Sequence, residues 1–316
     1  MMPFSDNLLL IAGPTGTGKN ALALRISEAI RPIAESEILN ADALQLYDGL
    51  KILTNFPSEK QLQRVPHVLF GILNPMDSAN AAWWANMAMK EIDRIRALGK
   101  VAIVCGGTGF YLKALQDGLA TIPEISPEIL AEAQEKLKKI GRNNFFDELQ
   151  RIDPHYAGGN NPQRMLRAYA VLCSTGKSLT DWWKNGNGDG DDTTRSAGRN
   201  CSCLVLNPNR EALGNVCRRR IDAMFDAGAI EEVDNFRAKY DNPDRSQLAF
   251  AVGYREISSF LKKEILLDDC REKMHIRTMQ YAKRQSTWFR NKMAAATFLS
   301  EFGHQLDLDT LAGNIN

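Results

Sequence analysis

Cysteine, histidine and long apolar runs are scarce in this sequence, and each shortage closes a class of function. Six cysteines and four histidines are scattered over 316 residues. Cys201 and Cys203 form a lone C-x-C, but there is no C-x-x-C pair and no histidine at zinc-site spacing. Dispersed thiols in a chain of this length point to a reduced, cytoplasmic setting rather than a disulfide framework. No apolar run approaches the ~20 residues of a membrane helix, so no membrane partner is expected. The first residues lack a basic segment followed by an apolar core and a small-residue cleavage site, so no secretory signal is expected. Charge of one sign is also missing: 39 Lys and Arg stand against 38 Asp and Glu, a formal net charge of +1. No global field draws such a protein to nucleic acid or anionic lipid, so any polyanion must be met by local clusters of arginine and lysine. With 44% hydrophobic and 24% charged residues, the remainder is that of a globular protein with one large domain, or a core carrying an insertion.

Short apolar runs alternate with amphipathic stretches in the first part of the chain. Leu8–Ala12, Ile38–Asn40, His67–Leu73 and Val101–Cys105 read as strands. Between the last two, Ser78 reads as the cap of a helix whose periodic segment runs from Ala81 to Leu98. Strands alternating with helices predict an α/β fold, a parallel sheet with helices on both faces. From Ser126 to Leu179 helix-like segments rich in Glu, Lys, Gln and Ala dominate. The glycine-rich stretch Asn185–Asn200 reads as a mobile loop or linker. Cys203–Leu206 is expected to rejoin the sheet, helices to run from Arg210 to Arg290, and Thr297–Leu299 to add a last strand. The expected division is a core of residues 1–118 and 201–316, interrupted by an all-helical insertion domain of residues 119–200.

The strand Leu8–Ala12 leads into "GPTGTGKN", residues 13 to 20, and then into a helix. Such a loop offers consecutive backbone N–H groups and a helix N-terminus to an anion, and Lys19 adds a full charge. Gly13, Pro14, Thr15, Gly16, Thr17, Gly18, Lys19 and Asn20 are therefore the candidate phosphate-binding residues. The usual loop ends in Ser or Thr, whose hydroxyl ligates magnesium. Asn20 stands there instead and argues against ATP hydrolysis. Asp42 lies just past the second strand, in "NADALQLYDGL". In "CGGTGFYLKAL" the glycines let a ligand approach the backbone and Thr108 adds a hydroxyl. GGTG alone fits a turn as well as a site.

Taken in order, "GPTGTGKN", "NADALQLYDGL", "VPHVLFGILNP", "GGTGFYLKAL", "NPQRMLRAYAVLCSTGKSL", "VGYREI" and "YAKRQSTWFR" resemble the signature segments of the tRNA dimethylallyltransferases, from about Leu8 to Arg290. The resemblance implies a P-loop NTPase-like core and transfer of a dimethylallyl group from dimethylallyl diphosphate. The acceptor would be N6 of the adenosine 3′ of the anticodon in a tRNA. The implied partners are the tRNA anticodon stem-loop and the allylic diphosphate, the implied cofactor is Mg²⁺ held mainly by the pyrophosphate, and the chain is expected to act as a monomer. On this reading the loop holds a leaving group rather than an energy source. Lys19, the N–H groups of residues 16 to 20 and the hydroxyls of Thr15 and Thr17 are the expected donors to it.

By match to the family's N-A-D segment, Asp42 is the general base. Its alternative role is to cap the turn after the second strand. Thr108 would orient the adenine or the pyrophosphate. The expected tRNA-contacting residues are Asp42, Ala43, Leu44, Gln45 and Thr108, then Gln163, Arg164, Met165, Leu166 and Arg167 in the insertion, then Lys283 and Arg284. Gln45 can offer its amide to the adenine edge. Arg164 and Arg167, three apart, share a helix face that clamps RNA or is simply solvated. Trp288 and Phe289 read as core beside the basic residues, and Trp83, Trp84, Trp182, Trp183 and His67 as structural.

Three positions depart from the family's pattern: Asn20, Val68 in place of a second histidine, and Val216 in place of an arginine. The loss at Val216 predicts weaker pyrophosphate binding, with Arg218, Arg219 or Arg220 standing one turn further on as substitutes. The competing readings are an isopentenyltransferase acting on free AMP, ADP or ATP, a P-loop small-molecule kinase, and an RNA-binding protein without catalysis.

Overall fold

A computed structural model describes residues 7–119, 122, 125–185, 196–198 and 201–308. The first part contains strand β1 (Leu8–Ala12), helix α1 (Lys19–Ile30), β2 (Ser36–Asn40), the short helices α2 (Lys51–Thr54) and α3 (Glu59–Arg64), β3 (His67–Val68), α4 (Ala81–Ala97), β4 (Val101–Gly106) and α5 (Gly109–Asp117). Four helices follow: α6 (Pro127–Ile140), α7 (Arg142–Ile152), α8 (Pro162–Thr175) and α9 (Leu179–Asn185). The last part holds β5 (Ser202–Leu206), α10 (Arg210–Asp226), α11 (Ala229–Lys239), α12 (Tyr254–Leu261), α13 (Leu267–Lys292) and β6 (Thr297–Leu299). The chain divides into two compact units, with boundaries between Gln116 and Asp117 and between Ser196 and Ala197.

In the first unit the strands form one parallel sheet of order β3-β2-β4-β1-β5-β6. Every residue of β1, β2 and β4 is buried, as required where helices cover both faces. On one face Leu9, Ile11, Ile38 and Ile103 pack with Leu22, Ala23, Ile26 and Ile30 of α1. Their neighbours Leu8, Leu10, Leu39 and Val104 point the other way and are just as fully buried. Trp84 of α4 is core: its Nε1 donates to the Asn40 carbonyl at 2.9 Å and its ring stacks on Tyr111 at 4.6 Å. The register places Ala12 beside Gly106 and Asn40 beside Cys105, so β1, β4 and β2 end level. The loops that follow them emerge side by side, where ligands of parallel sheets bind.

Two local expectations are corrected. The cap of α4 is Asn80, whose side chain accepts from the Trp83 N–H, rather than Ser78. The strand expected over His67–Leu73 stops at Val68, because Leu69 (φ 62°) adopts the left-handed conformation. Asn40 Nδ2 donates to the Leu69 carbonyl at 3.0 Å and fastens that bend. Most of the glycine-rich stretch Asn185–Asn200 lies outside the described residues, as does the side chain of Trp183.

The second unit is helical. Ser126 and Asn161 cap α6 and α8, each with proline at the first position, and Gly176 in the left-handed conformation ends α8. Its core gathers Phe145, Leu149, Met165, Ala168 and Val171, with Trp182 packed against them.

Candidate active site

Helix α1 starts without a capping side chain and with no acidic residue in its first turn. Gly18, in the cap position before it, has φ 83°, a conformation that costs other residues strain. The N–H groups of Gly16, Gly18, Lys19 and Asn20 have no acceptor among the described residues. Free donors at a helix start with no acidic residue in its first turn suit an anion. Thr17 is fully buried and its hydroxyl donates inward to the Pro14 carbonyl at 2.9 Å, so it braces the loop rather than facing the cavity. Lys19 Nζ donates to the same carbonyl at 2.9 Å, and burial pulls its pKa below the ordinary lysine value. From behind, Gly303 N–H donates to the Thr17 carbonyl at 2.9 Å, and a Cβ on Gly303 would lie 2.2 Å from the Gly18 carbonyl oxygen.

Asp42 stands at the end of β2. Its backbone N–H donates to Asn40 Oδ1 at 2.7 Å, and its Oδ1 accepts from the Leu44 N–H at 3.1 Å. One carboxylate oxygen thus holds the turn, leaving Oδ2 without a donor among the described residues. Thr108, at the end of β4, ties this loop down: its N–H donates to the Ala41 carbonyl at 3.1 Å and its Oγ1 accepts from the Ala43 N–H at 2.9 Å. Gln45 is buried, and both donors of its amide are committed to the carbonyls of Thr54 (2.9 Å) and Asn55 (2.8 Å). Those bonds close one end of α2, while Glu232 of α11 accepts from the Ile52 and Leu53 N–H groups at the other.

Two cavities open at these strand ends. The larger, about 260 Å³, is lined by Thr15, Gly16, Gly18, Lys19, Asn20, Asp42 and Arg220 among others. The smaller, about 80 Å³, has an apolar wall of Leu53, Ile221, Met224, Val252 and Met274. Thr15, Asp42, Thr54 and Arg220 line both. A polar cavity with free N–H groups therefore shares a border with an apolar one, and a carboxylate stands on that border.

Arg220 stands one turn beyond Val216 on α10. Its Nη1 donates to Thr15 Oγ1 at 3.2 Å, and its buried Nε has no partner among the described residues. Burial lowers its pKa. Arg218 instead pairs with Glu272 at 2.9 Å, and Val216 packs against Leu213, Cys217, Ala282 and Phe302. Asn20 Oδ1 accepts from the Cys105 thiol at 3.2 Å, and burial raises that thiol's pKa to about 12. His67, half-buried, bonds the Val65 carbonyl through Nδ1, a structural placement.

A third concavity, an open groove of about 510 Å³, runs along α13 between Gln280, Lys283, Arg284, Thr287, Trp288, Asn291 and Lys292. Phe289 is core, whereas Trp288 is half-buried, covering Gly109 so closely that a Cβ there would lie 2.2 Å from its ring. In the helical unit α8 exposes Gln163, Arg164 and Arg167. Met165, expected with them at the RNA, is fully buried in that unit's core, and Leu166 is half-buried against it. The hydrophobic side of the helix turns them inward.

A family model described as IPP transferase matches residues 45–292. A tRNA dimethylallyltransferase of Rhodospirillum rubrum is 38% identical over 95% of this chain and 90% of its own length. This chain belongs to the IPP transferase family. Among solved structures, a tRNA isopentenylpyrophosphate transferase from Bacillus halodurans is similar with a TM-score of 0.67 and 26% identity, over 98% of this chain and 93% of that one. A tRNA delta(2)-isopentenylpyrophosphate transferase from Staphylococcus epidermidis is similar with a TM-score of 0.65 and 29% identity, over 98% and 96%. The family's fold is the P-loop NTPase-like one, as the parallel sheet and its loop indicate.

In this IPP transferase family member one site residue escaped sequence reasoning. Gln285 of α13 is buried at 7% exposure and bonds both the phosphate loop and the loop after β4. Its signal was a polar residue on the apolar stripe Ala282, Gln285, Phe289, at spacings of three and four. Arg220 carried the same signal, on the stripe of Leu213 and Cys217.

Proposed function

We propose that this chain transfers the dimethylallyl group of dimethylallyl diphosphate to N6 of the adenosine 3′ of the anticodon in tRNA. The carrying observation is the pair of adjoining cavities with Asp42 on their common border. The polar cavity suits a diphosphate, and the apolar one suits a short branched hydrocarbon. The relatives' names point to the same donor and acceptor.

The chemistry follows from the residues. The allylic C–O bond breaks, leaving positive charge on carbon and negative charge on the departing diphosphate. Gly16, Gly18, Lys19, Asn20 and Arg220 line the polar cavity, so their free N–H groups and two cations stand where that negative charge develops, and donors already in place need little reorganisation. The new bond forms between N6 and the allylic carbon. Asp42 accepts the N6 proton through its free oxygen, and diphosphate departs. A carboxylate in this role contributes roughly 10² to 10⁴ in rate.

No trio of His, Cys, Asp or Glu side chains among the described residues could cage a metal. Asn20, which lines the polar cavity, would hold through Oδ1 a magnesium ion brought with the diphosphate, and the ion would help neutralise the leaving group. A thiol is a weak donor, so Cys105 gives up that oxygen cheaply. The RNA would lie along the α13 groove against Lys283 and Arg284, with Thr108, Ala43 and Leu44 near the flipped base. Gln163, Arg164 and Arg167 would meet its backbone from the helical unit. A flipped base in a single-stranded loop costs only a few kcal/mol.

Purified protein incubated with labelled dimethylallyl diphosphate and either tRNA or AMP tests the reading. Label in tRNA is the expected result. Label in AMP alone would instead indicate a nucleotide prenyltransferase, and label in neither would refute prenyl transfer.

A further inference from the structure

Beyond the ends of β1 and β4, Gln285 bridges the two loops that emerge side by side from these strands. Its Oε1 accepts the Thr15 N–H at 2.9 Å and its Nε2 donates to the Gly107 carbonyl at 2.8 Å. Among the described residues no other hydrogen bond links residues 13–18 to residues 107–109. The side chain is 7% exposed, so water does not substitute readily for either bond. A carboxamide satisfies both ends of this bridge at any pH, since one loop presents a donor and the other an acceptor, whereas a carboxyl group does so only when protonated. Thr15 lines both cavities, while Gly107 precedes Thr108, whose hydroxyl oxygen holds the Ala43 N–H beside Asp42. Thr15, Gln285, Gly107, Thr108 and Ala43 thus form a continuous series of contacts from the anion pocket to the base.

We infer that Gln285 is a positioning residue, setting the distance between the held diphosphate and Asp42 and thereby the approach of the acceptor amine to the allylic carbon. The inference rests on the prenyl-transfer reading above. Gln285 touches neither reacting atom. It acts through two loops, and an error of about 1 Å in such an arrangement costs about 10²-fold in rate.

The test exploits the asymmetry of the bridge. In Gln285→Glu the ionised carboxylate still accepts from Thr15 but repels the Gly107 carbonyl. Once protonated, it donates to Gly107 and restores both bonds. The other charged or titratable groups of this pocket are Asp42 after β2, Lys19 of α1, Cys217 and Arg220 of α10 and Tyr281 of α13, with Cys105 of β4 beside Lys19 and Asp42. They are common to variant and wild type, so the ratio of the two kcat values at each pH removes their shared titration. The expected kcat of Gln285→Glu at pH 8 is about 10²-fold below wild type, with KM for tRNA and for dimethylallyl diphosphate changed less than about threefold. As pH falls from 8 to 6, the variant-to-wild-type ratio rises at least about tenfold.

Gln285→Met, of similar volume and unable to form either bond, shows the same loss with a ratio flat in pH, and it decides alone should the acidic variant not fold. A kcat within twofold of wild type in Gln285→Met, a flat ratio in a folded Gln285→Glu, or a loss confined to KM would overturn the inference. Wild-type enzyme runs beside both variants. If it fails to prenylate tRNA, the functional reading falls and this inference with it; if it succeeds while the variants match it, only this inference falls.

Discussion

Lys19 holds a positive charge where burial disfavours it, and its pKa lies below the ordinary lysine value for that reason. A lowered pKa means the ammonium is lost at a lower pH than on a surface lysine, so capture of the diphosphate weakens as pH rises into the alkaline range. Because kcat/KM reports the free enzyme, the profile for dimethylallyl diphosphate is expected to fall on its alkaline side. Lys19→Arg should flatten that limb, since a guanidinium stays protonated; an unchanged limb would assign the titration elsewhere. Asp42→Ala should cut kcat by 10² to 10⁴ while leaving KM for the allylic diphosphate nearly unchanged. Full prenyl incorporation by that variant would remove Asp42 as the base. Arg220→Ala is expected to lower kcat/KM by about 10² to 10³, as loss of one aimed donor does elsewhere. A loss below fivefold would show that Arg220 only packs against Thr15.

The short helix α2 gives the element scale its clearest case. Leu50 before it and Asn55 after it both have positive φ, 46° and 55°, so the segment is strained at each end. Glu232 holds its first N–H groups and Gln45 its last carbonyls, which keeps Leu53 and Thr54 in the cavity walls. Glu232→Ala strands buried donors and should destabilise the protein by about 1–3 kcal/mol. KM for dimethylallyl diphosphate should rise in the same variant. A melting curve and a saturation curve check this, and a rise in neither would show that α2 holds itself. None of this was legible beforehand, because Glu232 and Ile52 lie far apart in the chain and nothing local marks their meeting. The strands β1, β2 and β4 and the glycine-rich loop between β1 and α1 were legible, since uniform apolar runs and glycine spacing are local signals. The bend at Leu69 was not, because a side chain from another strand fastens it. Met165 was misplaced for a related reason: the family match carried the whole QRMLR run to the RNA, whereas helix geometry turns its middle into the core.

At the scale of the whole molecule the net charge is +1 and no helix among the described residues is long and apolar enough to cross a membrane. Affinity for RNA then rests on patches such as the α13 groove rather than on a general field. Replacing Lys283 with alanine should weaken binding evenly across tRNA sequences and reduce the slope of log affinity against log salt by about 1. An unaltered slope would move the phosphate path off that groove. Gly303, pressed against Gly18, carries one further consequence. Polypeptides are made from the N-terminus at roughly 5–20 residues per second. The amides and the aspartate are translated before Arg220, Gln285 and Gly303, whose contacts brace them. A nascent chain that has not yet reached Gly303 therefore carries its glycine-rich loop without that support, and on the proposed function it is inert toward the adaptor molecules decoding it.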